Sequence, residues 1–354
     1  MQILRLLLFP FSLLYGLVVL ARNWLYDAGL FKSREFDLPV IAVGNLDVGG
    51  AGKSPMTEYL VRLLQHNHAV ATLSRGYGRT TRGFVVADKN SAADQIGDEP
   101  AQFKAHFPGV TVAVCEDRAY GIERLRSSHD VIILDDAFQH RKVKPGYSIL
   151  LFDYSRITGL QLMLPAGNLR EPFSGRWRAD VIVITKCPAG ITTEQQKQVI
   201  EKVKPLPYQS VFFTSITYHP FTALLDASLN GAIDADTTVF LLTGIANAKP
   251  LLRHLNSLTS KLIHHEYPDH HRFTLKNISK LASDFEECSA HKKIIVTTEK
   301  DAQRLRERAL KVAIQRLPIY VIPIGVEFLN NAASRFDQLI TDYVRENTAN
   351  HHLH

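Results

Sequence analysis

The amino-acid sequence predicts a mixed α/β fold, with a parallel sheet in a first domain, a second and smaller α/β domain, and an apolar helix at the amino terminus. Three observations support this prediction. Short apolar runs rich in β-branched residues alternate with helix-like stretches from Pro39 onward. A second series of such runs begins at Val239, and the segment from Ile3 to Leu20 is almost wholly apolar. Runs that are apolar on consecutive residues are typical of strands buried on both faces, as in a parallel sheet covered by helices.

The composition limits the class of protein. A chain of 354 residues with 45% hydrophobic side chains is too long for one core of ordinary size, so we expect two globular domains and no extensive disorder. The net charge of +6 favours anionic partners without choosing among nucleotides, nucleic acid and an anionic membrane. Cys115, Cys187 and Cys288 lie far apart, and no two of them form a CxxC pair. This spacing argues against a disulfide framework or a thiolate zinc site and fits a reducing compartment.

The segment from Ile3 to Leu20 is compatible with several kinds of helix. Its 18 residues would form a helix roughly 27 Å long, at the short edge of a membrane span. A spanning helix, a helix in the membrane plane, the core of a signal peptide and a buried core helix all remain open. Arg22, Lys32 and Arg34 follow the apolar run, and basic residues there favour a cytoplasmic location for the downstream chain. We expect residues 1–27 to form a membrane-associated helix, peripheral or singly anchored.

The remaining apolar runs fall into two sets, one for each domain. The expected boundaries are residues 28–215 for the first domain, 216–325 for the second, and 326–354 for a carboxy-terminal helix and tail, with the helix over residues 332–344. The predicted strands of the first set are Val40–Val43, Val70–Leu73, Val110–Val114, Val131–Leu134, Ile149–Phe152 and Val181–Ile184, followed by a less regular run over Val211–Tyr218. Those of the second set are Val239–Leu242, Ile294–Thr297 and Tyr320–Ile322.

A glycine-rich loop follows the first predicted strand and precedes a predicted helix over Met56 to Leu64. A strand, a glycine loop, a Lys-Ser pair and a helix together form the phosphate-binding arrangement of P-loop proteins: backbone N–H groups surround the phosphates, the lysine reaches the β and γ oxygens, and the serine binds Mg²⁺. Asp47 stands where the usual motif has its first glycine, and the loop resembles the variant found in dimerising ATPases. A plain glycine turn would leave the Lys-Ser pair unexplained. The expected nucleotide-binding residues are Gly49, Gly50, Ala51, Gly52, Lys53 and Ser54.

Two acidic residues, Asp135 and Asp136, end the predicted strand over Val131–Leu134, beside the expected nucleotide edge of the sheet. Carboxylates at this place can hold Mg²⁺ directly or through water, together with Ser54. Asp also favours turns and helix caps, so this signal depends on the phosphate loop upstream. Farther along, Pro188 stands where the guanine-reading motif of GTPases has its Asp. The sequence therefore predicts ATP, and not GTP, with Mg²⁺.

These motifs, taken with others in order, resemble the tetraacyldisaccharide 4'-kinase family. The resemblance implies an ATP-dependent kinase that phosphorylates the 4'-hydroxyl of a lipid A disaccharide-1-phosphate precursor, with the P-loop domain, the smaller domain and the amino-terminal membrane helix already expected. The acceptor would bind between the domains, at the cytoplasmic face of the inner membrane. The stretches that carry the resemblance are residues 43–55, 73–79, 97–100, 135–140, 164–172, 269–273 and 298–301. One departure is Ala137, where the family pattern has Gly after the two Asp residues.

The resemblance also implies roles for individual residues. Asp98 would act as the base, with His270 from the second domain as its charge partner, and Lys53 and Asp136 would complete the catalytic set. A sugar hydroxyl is too weak an acid to ionise at neutral pH and needs a positioned acceptor for its proton. A helix cap is the competing interpretation of Asp98. The arginines among the candidates suit phosphate oxygens. The candidate acceptor-binding residues are Asn45, Arg75, Glu99, Arg118, Arg170 and Glu171.

Two other functions remain open at this point. A membrane-recruited switch ATPase of the dimerising P-loop class would hydrolyse ATP to control a protein, and a nucleotide-gated lipid-binding protein would transfer no phosphate. Asp98 and His270 favour the kinase, because a switch ATPase has no use for a group that deprotonates a hydroxyl. The basic residues are not interleaved with aromatic ones, so we expect no nucleic-acid partner. No obligatory protein partner is expected either.

Overall fold

The computed structural model describes residues 7–89, 91–225, 233–307 and 309–351. Within these ranges the strands form a nine-stranded and a five-stranded sheet. We call the nine-stranded sheet with its helices the larger lobe, and the five-stranded sheet with its helices the smaller lobe. The strands are β1 (Val40–Asn45), β2 (Val70–Ser74), β3 (Val85–Val86), β4 (Thr111–Val114), β5 (Val131–Asp135), β6 (Tyr147–Asp153), β7 (Val181–Thr185), β8 (Ser210–Tyr218), β9 (Thr222–Ala223), β10 (Thr238–Thr243), β11 (Leu262–Glu266), β12 (Lys293–Thr298), β13 (Ile319–Ile322) and β14 (Ile324–Phe328).

Helices connect most of these strands, as the sequence predicts. The predicted helix after the glycine loop is present and begins at Lys53. A 3-10 helix over Phe173–Arg178 precedes β7. The α-helices are α1 (Phe9–Asp27), α2 (Lys53–Leu64), α3 (Ala93–Ile96), α4 (Asp98–His106), α5 (Arg118–Leu125), α6 (Tyr154–Ile157), α7 (Thr193–Val203), α8 (Lys249–Leu258), α9 (Leu275–Glu287), α10 (Glu299–Leu305), α11 (Lys311–Ile314) and α12 (Ala333–His351).

The larger sheet has the order β14-β8-β7-β6-β1-β5-β2-β4-β3 and confirms the prediction of a parallel sheet. The pairs from β8 through β4 are parallel, while the edge strands β3 and β14 are antiparallel to their neighbours. Strands β1, β2, β5 and β7 are buried along their whole length, because helices cover both faces. Such burial explains why these strands are apolar on consecutive residues.

The smaller sheet has the order β11-β10-β12-β13-β9. Strands β10 to β13 are parallel, and the two-residue strand β9 adds an antiparallel edge. The core of the smaller lobe lies between this sheet and helices α9 to α11. Its almost fully buried side chains include Phe240, Leu281, Ile295 and Leu305. The runs predicted for the second domain are therefore strands of one small parallel sheet.

The chain returns to the larger lobe at its carboxy-terminal end. Strand β14 pairs with β8, and α12 buries Phe336, Ile340 and Val344 in the core that also contains α2. Strand β14 was absent from the predicted strands, because Gly325 and Glu327 interrupt its short apolar pattern. The boundary expected after residue 215 falls inside β8.

Helix α1 covers part of the predicted apolar segment, of which residues 3–6 lie outside the described ranges. It turns its small residues Ser12, Gly16 and Val19 toward the protein and leaves its large apolar residues outside. Phe11 and Leu17, for example, are 62% and 64% exposed. None of the helices described in the structure is long and apolar enough to cross a membrane. The orientation of α1 is the reverse of that expected for a helix packed on a protein core.

Candidate active site

A cavity of about 820 Å³ lies between the two lobes. On one side it is lined by the glycine loop and by residues at the ends of β2 and β5; on the other side it is lined by residues that follow β10 and β12. Ligands of open parallel sheets bind at the carboxyl ends of the strands, and here the carboxyl ends of two sheets face the same space.

The glycine loop has the backbone conformation that the phosphate-binding motif requires. Gly49 and Gly52 have φ angles of 99° and 87°, which residues with a side chain rarely adopt. Gly52 caps α2, so the first N–H groups of that helix point into the cavity. Asp47 is buried and bridges to the backbone of Leu169 without a positive φ angle, so glycine is not required at its position.

Two basic side chains that also line the cavity bond to the backbone of the loop. Arg156 donates to the carbonyl of Val48, and Lys186 donates to the carbonyl of Gly50. Lys186 also donates to Asp153 at 2.8 Å. The Thr-Lys pair at the end of β7 therefore supports the loop, and Thr185 adds a hydrogen bond to the carbonyl of Ala51 at 2.8 Å.

Lys53 lies at the centre of a polar cluster on the larger lobe. Its Nζ donates to Asn45 Oδ1 at 3.1 Å and lies 3.5 Å from Asp136 Oδ1. Arg170 reaches the same two partners, at 2.8 Å from Asn45 Oδ1 and 3.0 Å from Asp136 Oδ1. Burial raises the pKa of Asp136, but the charges of Lys53 and Arg170 outweigh burial and leave that pKa below its ordinary value. Four of the residues predicted from the sequence thus form one polar cluster beside the loop.

Asp135 and Ser54 supply the oxygen atoms expected for a magnesium site. Asp135 accepts a hydrogen bond from Thr57 through Oδ1, while its buried Oδ2 has no hydrogen-bond partner among the described residues. Burial and the neighbouring charges of Glu99 and Asp136 raise the pKa of Asp135 to about 7. A divalent cation would satisfy the unpaired oxygen and offset this charge repulsion, so these residues fit Mg²⁺.

The described residues contain no cluster of three His, Cys, Asp or Glu side chains suited to a metal. Mg²⁺ in kinase sites usually binds through one or two carboxylates and the phosphates of a substrate. The left-handed conformation after β5 falls on Asp136, with φ of 49°, and not on Ala137. Ala137 is therefore compatible with the turn in which the family pattern has glycine.

Glu99 links the loop to the smaller lobe. It accepts a hydrogen bond from Ser54 Oγ at 2.9 Å, and its carboxylate lies 2.5 Å from Lys300 Nζ at the start of α10. Burial raises the pKa of Glu99, but the charges of Lys300 and Lys53 outweigh it, and the pKa is about 2. Glu99 is therefore ionised at neutral pH and contacts groups from both lobes.

Asp98 also lies at the contact between the lobes and is brought close to His270, as the resemblance implied. Asp98 Oδ2 lies 3.4 Å from His270 Nδ1, and it accepts hydrogen bonds from Arg304 Nη2 at 2.6 Å and Nε at 2.9 Å. Helix α4 begins at Asp98, as the competing interpretation predicts, but the N-cap position is occupied by Gly97 and Asp98 is the first helical residue. Its carboxylate is directed at the smaller lobe.

Arg304 is itself held by the smaller lobe. Its Nη1 donates to Asp301 Oδ1 at 2.8 Å and to the carbonyl of Gly244 at 3.0 Å. Burial raises the pKa of Asp98, but the hydrogen bonds from His270 and Arg304 and the charge of Arg304 lower it below its ordinary value. Asp98 is thus an ionised carboxylate at neutral pH, fixed by a buried guanidinium.

The remaining acceptor-binding candidates separate into two groups. Arg75 and Arg118 line the cavity, and Arg118 is 5% exposed with a buried Nε that lacks a hydrogen-bond partner within the part of the chain that the structure describes. His140 lines the same end, and burial and the charge of Arg118 lower its pKa to about 4, so the ring is neutral. Glu171, by contrast, is buried in an ion pair with Arg178 at 2.5 Å and does not line the cavity. The structure therefore places Glu171 apart from the other candidates.

Sequence reasoning missed Lys300 and Arg304. Both belong to the stretch Glu299-Lys-Asp-Ala-Gln-Arg304, which begins inside one of the motifs that carry the resemblance. A run of charged residues directly after a buried strand is the signal that could have identified them, because strand ends of both sheets border the cleft.

The comparisons with known proteins identify the family of this chain. A model of the tetraacyldisaccharide-1-P 4'-kinase family matches residues 4–345. The chain is 45% identical over 352 residues to the tetraacyldisaccharide 4'-kinase of Phocaeicola vulgatus, covering 97% of this chain and 96% of that protein. It is 44% identical to the enzyme of Flavobacterium johnsoniae, covering 98% of this chain and 99% of that one.

A solved structure gives the same result for the fold. The crystal structure of the Aquifex aeolicus protein of this family, described as an apo form in complex with ATP, superposes with a TM-score of 0.72 at 27% sequence identity. The match covers 96% of this chain and 99% of that chain. The sequence predicted this family from its motifs, and the chain belongs to the tetraacyldisaccharide-1-P 4'-kinase family.

Proposed function

We propose that this chain is an ATP-dependent kinase that transfers the γ-phosphate of ATP to the 4'-hydroxyl of a lipid A disaccharide-1-phosphate precursor at the cytoplasmic surface of the inner membrane. One observation supports the proposal above all others. The phosphate loop and Asp98 line the same cavity, with Glu99 bonded to Ser54 of the loop and Asp98 bonded to Arg304 of the other lobe. A switch ATPase has no need for such a carboxylate, so this alternative is not favoured.

The larger lobe binds the nucleotide in this proposal. The N–H groups of residues 49–54 surround the phosphates, and Lys53 moves from Asn45 and Asp136 to the β and γ oxygens. Ser54, Asp135 and Asp136 would hold Mg²⁺, which when bound neutralises charge on the phosphates. Arg170, bonded to Asn45 and Asp136, keeps the carboxylate of Asp136 in place as Lys53 leaves it.

Asp98 accepts the proton of the acceptor hydroxyl in this proposal. Its low pKa keeps it ionised and also makes it a weak base, so proton transfer follows the development of positive charge on the attacking oxygen. Arg304 and His270 fix its orientation. Arg118 and Arg75, at the cavity wall, are the groups suited to an anionic acceptor, because guanidinium groups pair well with phosphate oxygens.

The exposed apolar face of α1 supports the membrane location. Its inner side is attached to the site, since Tyr15 donates to the carbonyl of Arg170 at 3.0 Å and Arg22 donates to the carbonyl of Gln139 at 2.8 Å. Lipid burial of large apolar side chains contributes roughly 1.5–3 kcal/mol each. A helix that lies in the membrane surface would therefore bring the cavity close to a lipid-linked acceptor.

The direct test supplies γ-labelled ATP and a lipid A disaccharide-1-phosphate in detergent, and measures label in the lipid. A matched acceptor whose 4'-hydroxyl is methylated serves as the control. We expect label in the first lipid and none in the second. Equal labelling of both acceptors would contradict the proposed site of phosphorylation.

Replacing Arg304 with glutamine is expected to move the acid limb of the kcat profile to higher pH. Without the guanidinium, burial raises the pKa of Asp98, so its ionised fraction is lost at a higher pH as acid is added. The profile is measured between about pH 4 and 9 with saturating ATP. Arg306→Gln, at an exposed position after the same helix, is the control. An unchanged acid limb in Arg304→Gln would show that Asp98 does not govern it.

Removing the outward apolar side chains of α1 is expected to weaken use of the lipid acceptor. Leu14→Glu with Leu17→Glu leaves the contacts of Ser12 and Tyr15 intact, whereas deletion of residues 1–24 removes them as well. Both variants should bind vesicles less and show a raised KM for the lipid, with ATP affinity unchanged. Vesicle sedimentation and steady-state kinetics measure these effects. Normal vesicle binding by the double variant would exclude this face as the membrane contact.

A further inference from the structure

His106 lies where the two lobes touch, and both of its ring nitrogens face carboxylates. Nδ1 is 2.9 Å from Glu58 Oε1 on α2, and Nε2 is 3.0 Å from Glu299 Oε1 at the start of α10. The two glutamate side chains are only 2% and 6% exposed. A neutral imidazole has one N–H and would direct the lone pair of its other nitrogen at a carboxylate oxygen. With both glutamates ionised, only the doubly protonated ring donates a hydrogen bond to each of them.

The surrounding groups complete the charge balance. On the larger lobe, Glu58 also accepts hydrogen bonds from Arg62 at 3.0 Å and Gln102 at 2.8 Å. On the other side, Glu299 accepts a hydrogen bond from the backbone N–H of Ile324 at 3.2 Å. Two buried carboxylates thus face the two cations His106 and Arg62. If His106 were neutral, Glu299 would lose its charged partner at a buried position.

The pair of His106 with Glu299 is one of three ion pairs that join α4 to α10, both of which are fully described in the structure. The other two are Glu99 with Lys300 and Asp98 with Arg304, which belong to the active site. Glu299 immediately precedes Lys300 in α10. A contact that fixes Glu299 therefore also sets the position of the helix that carries the two cations of the cleft.

We propose that protonated His106 is a brace between the lobes, which holds α10 against α4 and so positions Lys300 and Arg304 at Glu99 and Asp98. His106 touches neither nucleotide nor acceptor in this account. It is a positioning residue for phosphate transfer, and in that respect the inference rests on the proposed kinase function. The brace itself is a property of the folded chain and can be measured without a substrate.

The brace has a defined pH range. Burial lowers the pKa of His106, but the hydrogen bonds and charges of Glu299 and Glu58 outweigh it and raise the pKa to about 9. A pKa raised above the unfolded value near 6.5 means that the stabilisation is complete below that value and is lost as the pH rises through about 9. The lobes should therefore be fixed at neutral pH and should loosen on the alkaline side.

The first measurement is an NMR titration of ¹⁵N-histidine-labelled protein without substrate, assigned with His106→Gln. We expect both ring nitrogens of His106 to be protonated at pH 7.5, and deprotonation only as the pH approaches 9. In parallel, amide hydrogen exchange of residues 299–305 at one pH should be faster in His106→Gln than in wild type. A ring that is neutral at pH 7.5 would overturn the proposal.

The second measurement is kinetic and separates positioning from simple loss of stability. We expect His106→Gln to lower kcat about tenfold with little change in the KM for ATP, and the nearly isosteric Glu299→Gln to do the same. The double variant should be only slightly slower than either one, because the two residues act as a pair. His106→Arg, which keeps two N–H directions and a permanent charge, should restore kcat and remove the alkaline decline of the wild type. The exposed His66→Gln is the control.

Each outcome decides the question. Additive losses in His106→Gln and Glu299→Gln, or an alkaline decline that is unchanged in an active His106→Arg, would overturn the brace. If His106→Arg does not fold, the dependence of kcat on alkaline pH in the isosteric Glu299→Gln variant provides the same test. A wild-type protein that transfers no phosphate to the lipid would contradict the proposed function alone, while the titration and the hydrogen exchange would still test the brace.

Discussion

Asp98→Ala is expected to lower kcat by about 10²- to 10⁴-fold, the usual contribution of a general base, with little change in ATP affinity. The carboxylate lies at the cleft and is held by Arg304 and His270, so its loss removes the proposed proton acceptor and leaves the phosphate loop intact. Steady-state transfer to the lipid measures kcat, and binding of ATP is the internal control. Near-normal turnover in Asp98→Ala would contradict the assignment.

Asp98→Asn sharpens this prediction. Asparagine can still accept a hydrogen bond from Arg304 through its carbonyl oxygen, but it is a far poorer proton acceptor. We therefore expect it to lose nearly as much activity as Asp98→Ala. Asp94→Asn, at an exposed position in α3, is the matched control. An active Asp98→Asn enzyme would mean that this residue only orders the contact with Arg304.

His270 is expected to act together with Asp98. Their side chains are 3.4 Å apart, and Arg304 contacts both, at 2.6 Å from Asp98 and 3.1 Å from His270. His270→Ala should lower kcat in the same direction, and the double variant should be only slightly worse than Asp98→Ala. Additive losses in the cycle would show independent roles.

Lys53→Ala is expected to reduce phosphate transfer about 10³-fold or more, because the charge that stabilises the transferring phosphoryl group is removed. The side chain leaves the loop toward Asn45 and Asp136 and is not part of a hydrophobic core. Transfer is measured with saturating lipid and a wide range of ATP concentrations. Transfer near the wild-type rate would exclude this loop as the phosphate site.

The control for Lys53→Ala is thermal unfolding without ligand. We expect the Tm to stay close to that of the wild type, since Arg170 remains bonded to Asn45 and Asp136 when Lys53 is removed. Lys144→Ala removes an ion pair with Glu35 whose members are both about two-thirds exposed, and it should change neither Tm nor transfer. A large fall in Tm for Lys53→Ala would mean that lost activity reports on stability.

The fold was predictable where the sequence pattern reflects burial on both faces. Strands such as β1 and β5 are apolar on consecutive residues because helices cover both sides, and the glycine loop requires positive φ angles at Gly49 and Gly52. These constraints are local. They predicted the parallel sheets and the phosphate loop, and the ordered motifs predicted the family.

Contacts between residues that are distant in the sequence were not predictable from local pattern. Within the larger sheet, strand β14 joins β8 across more than one hundred residues of chain, and between the lobes Arg304 meets Asp98 across 206 residues. Sequence spacing contains no information about such pairs when a whole lobe lies between them. Glu171 is the opposite case, because its place beside a motif suggested an acceptor contact, while the structure pairs it with Arg178 in a buried position.

The ratio of ADP formed to lipid phosphorylated tests the central claim most directly. In one reaction with the lipid A disaccharide-1-phosphate, chromatography measures ADP, inorganic phosphate and labelled lipid together. The account predicts one labelled lipid for each ADP, and almost no ADP when the acceptor is omitted, because Asp98 and the loop act on the acceptor hydroxyl in one cavity. Release of inorganic phosphate at the same rate with and without acceptor would contradict it and would indicate an ATPase.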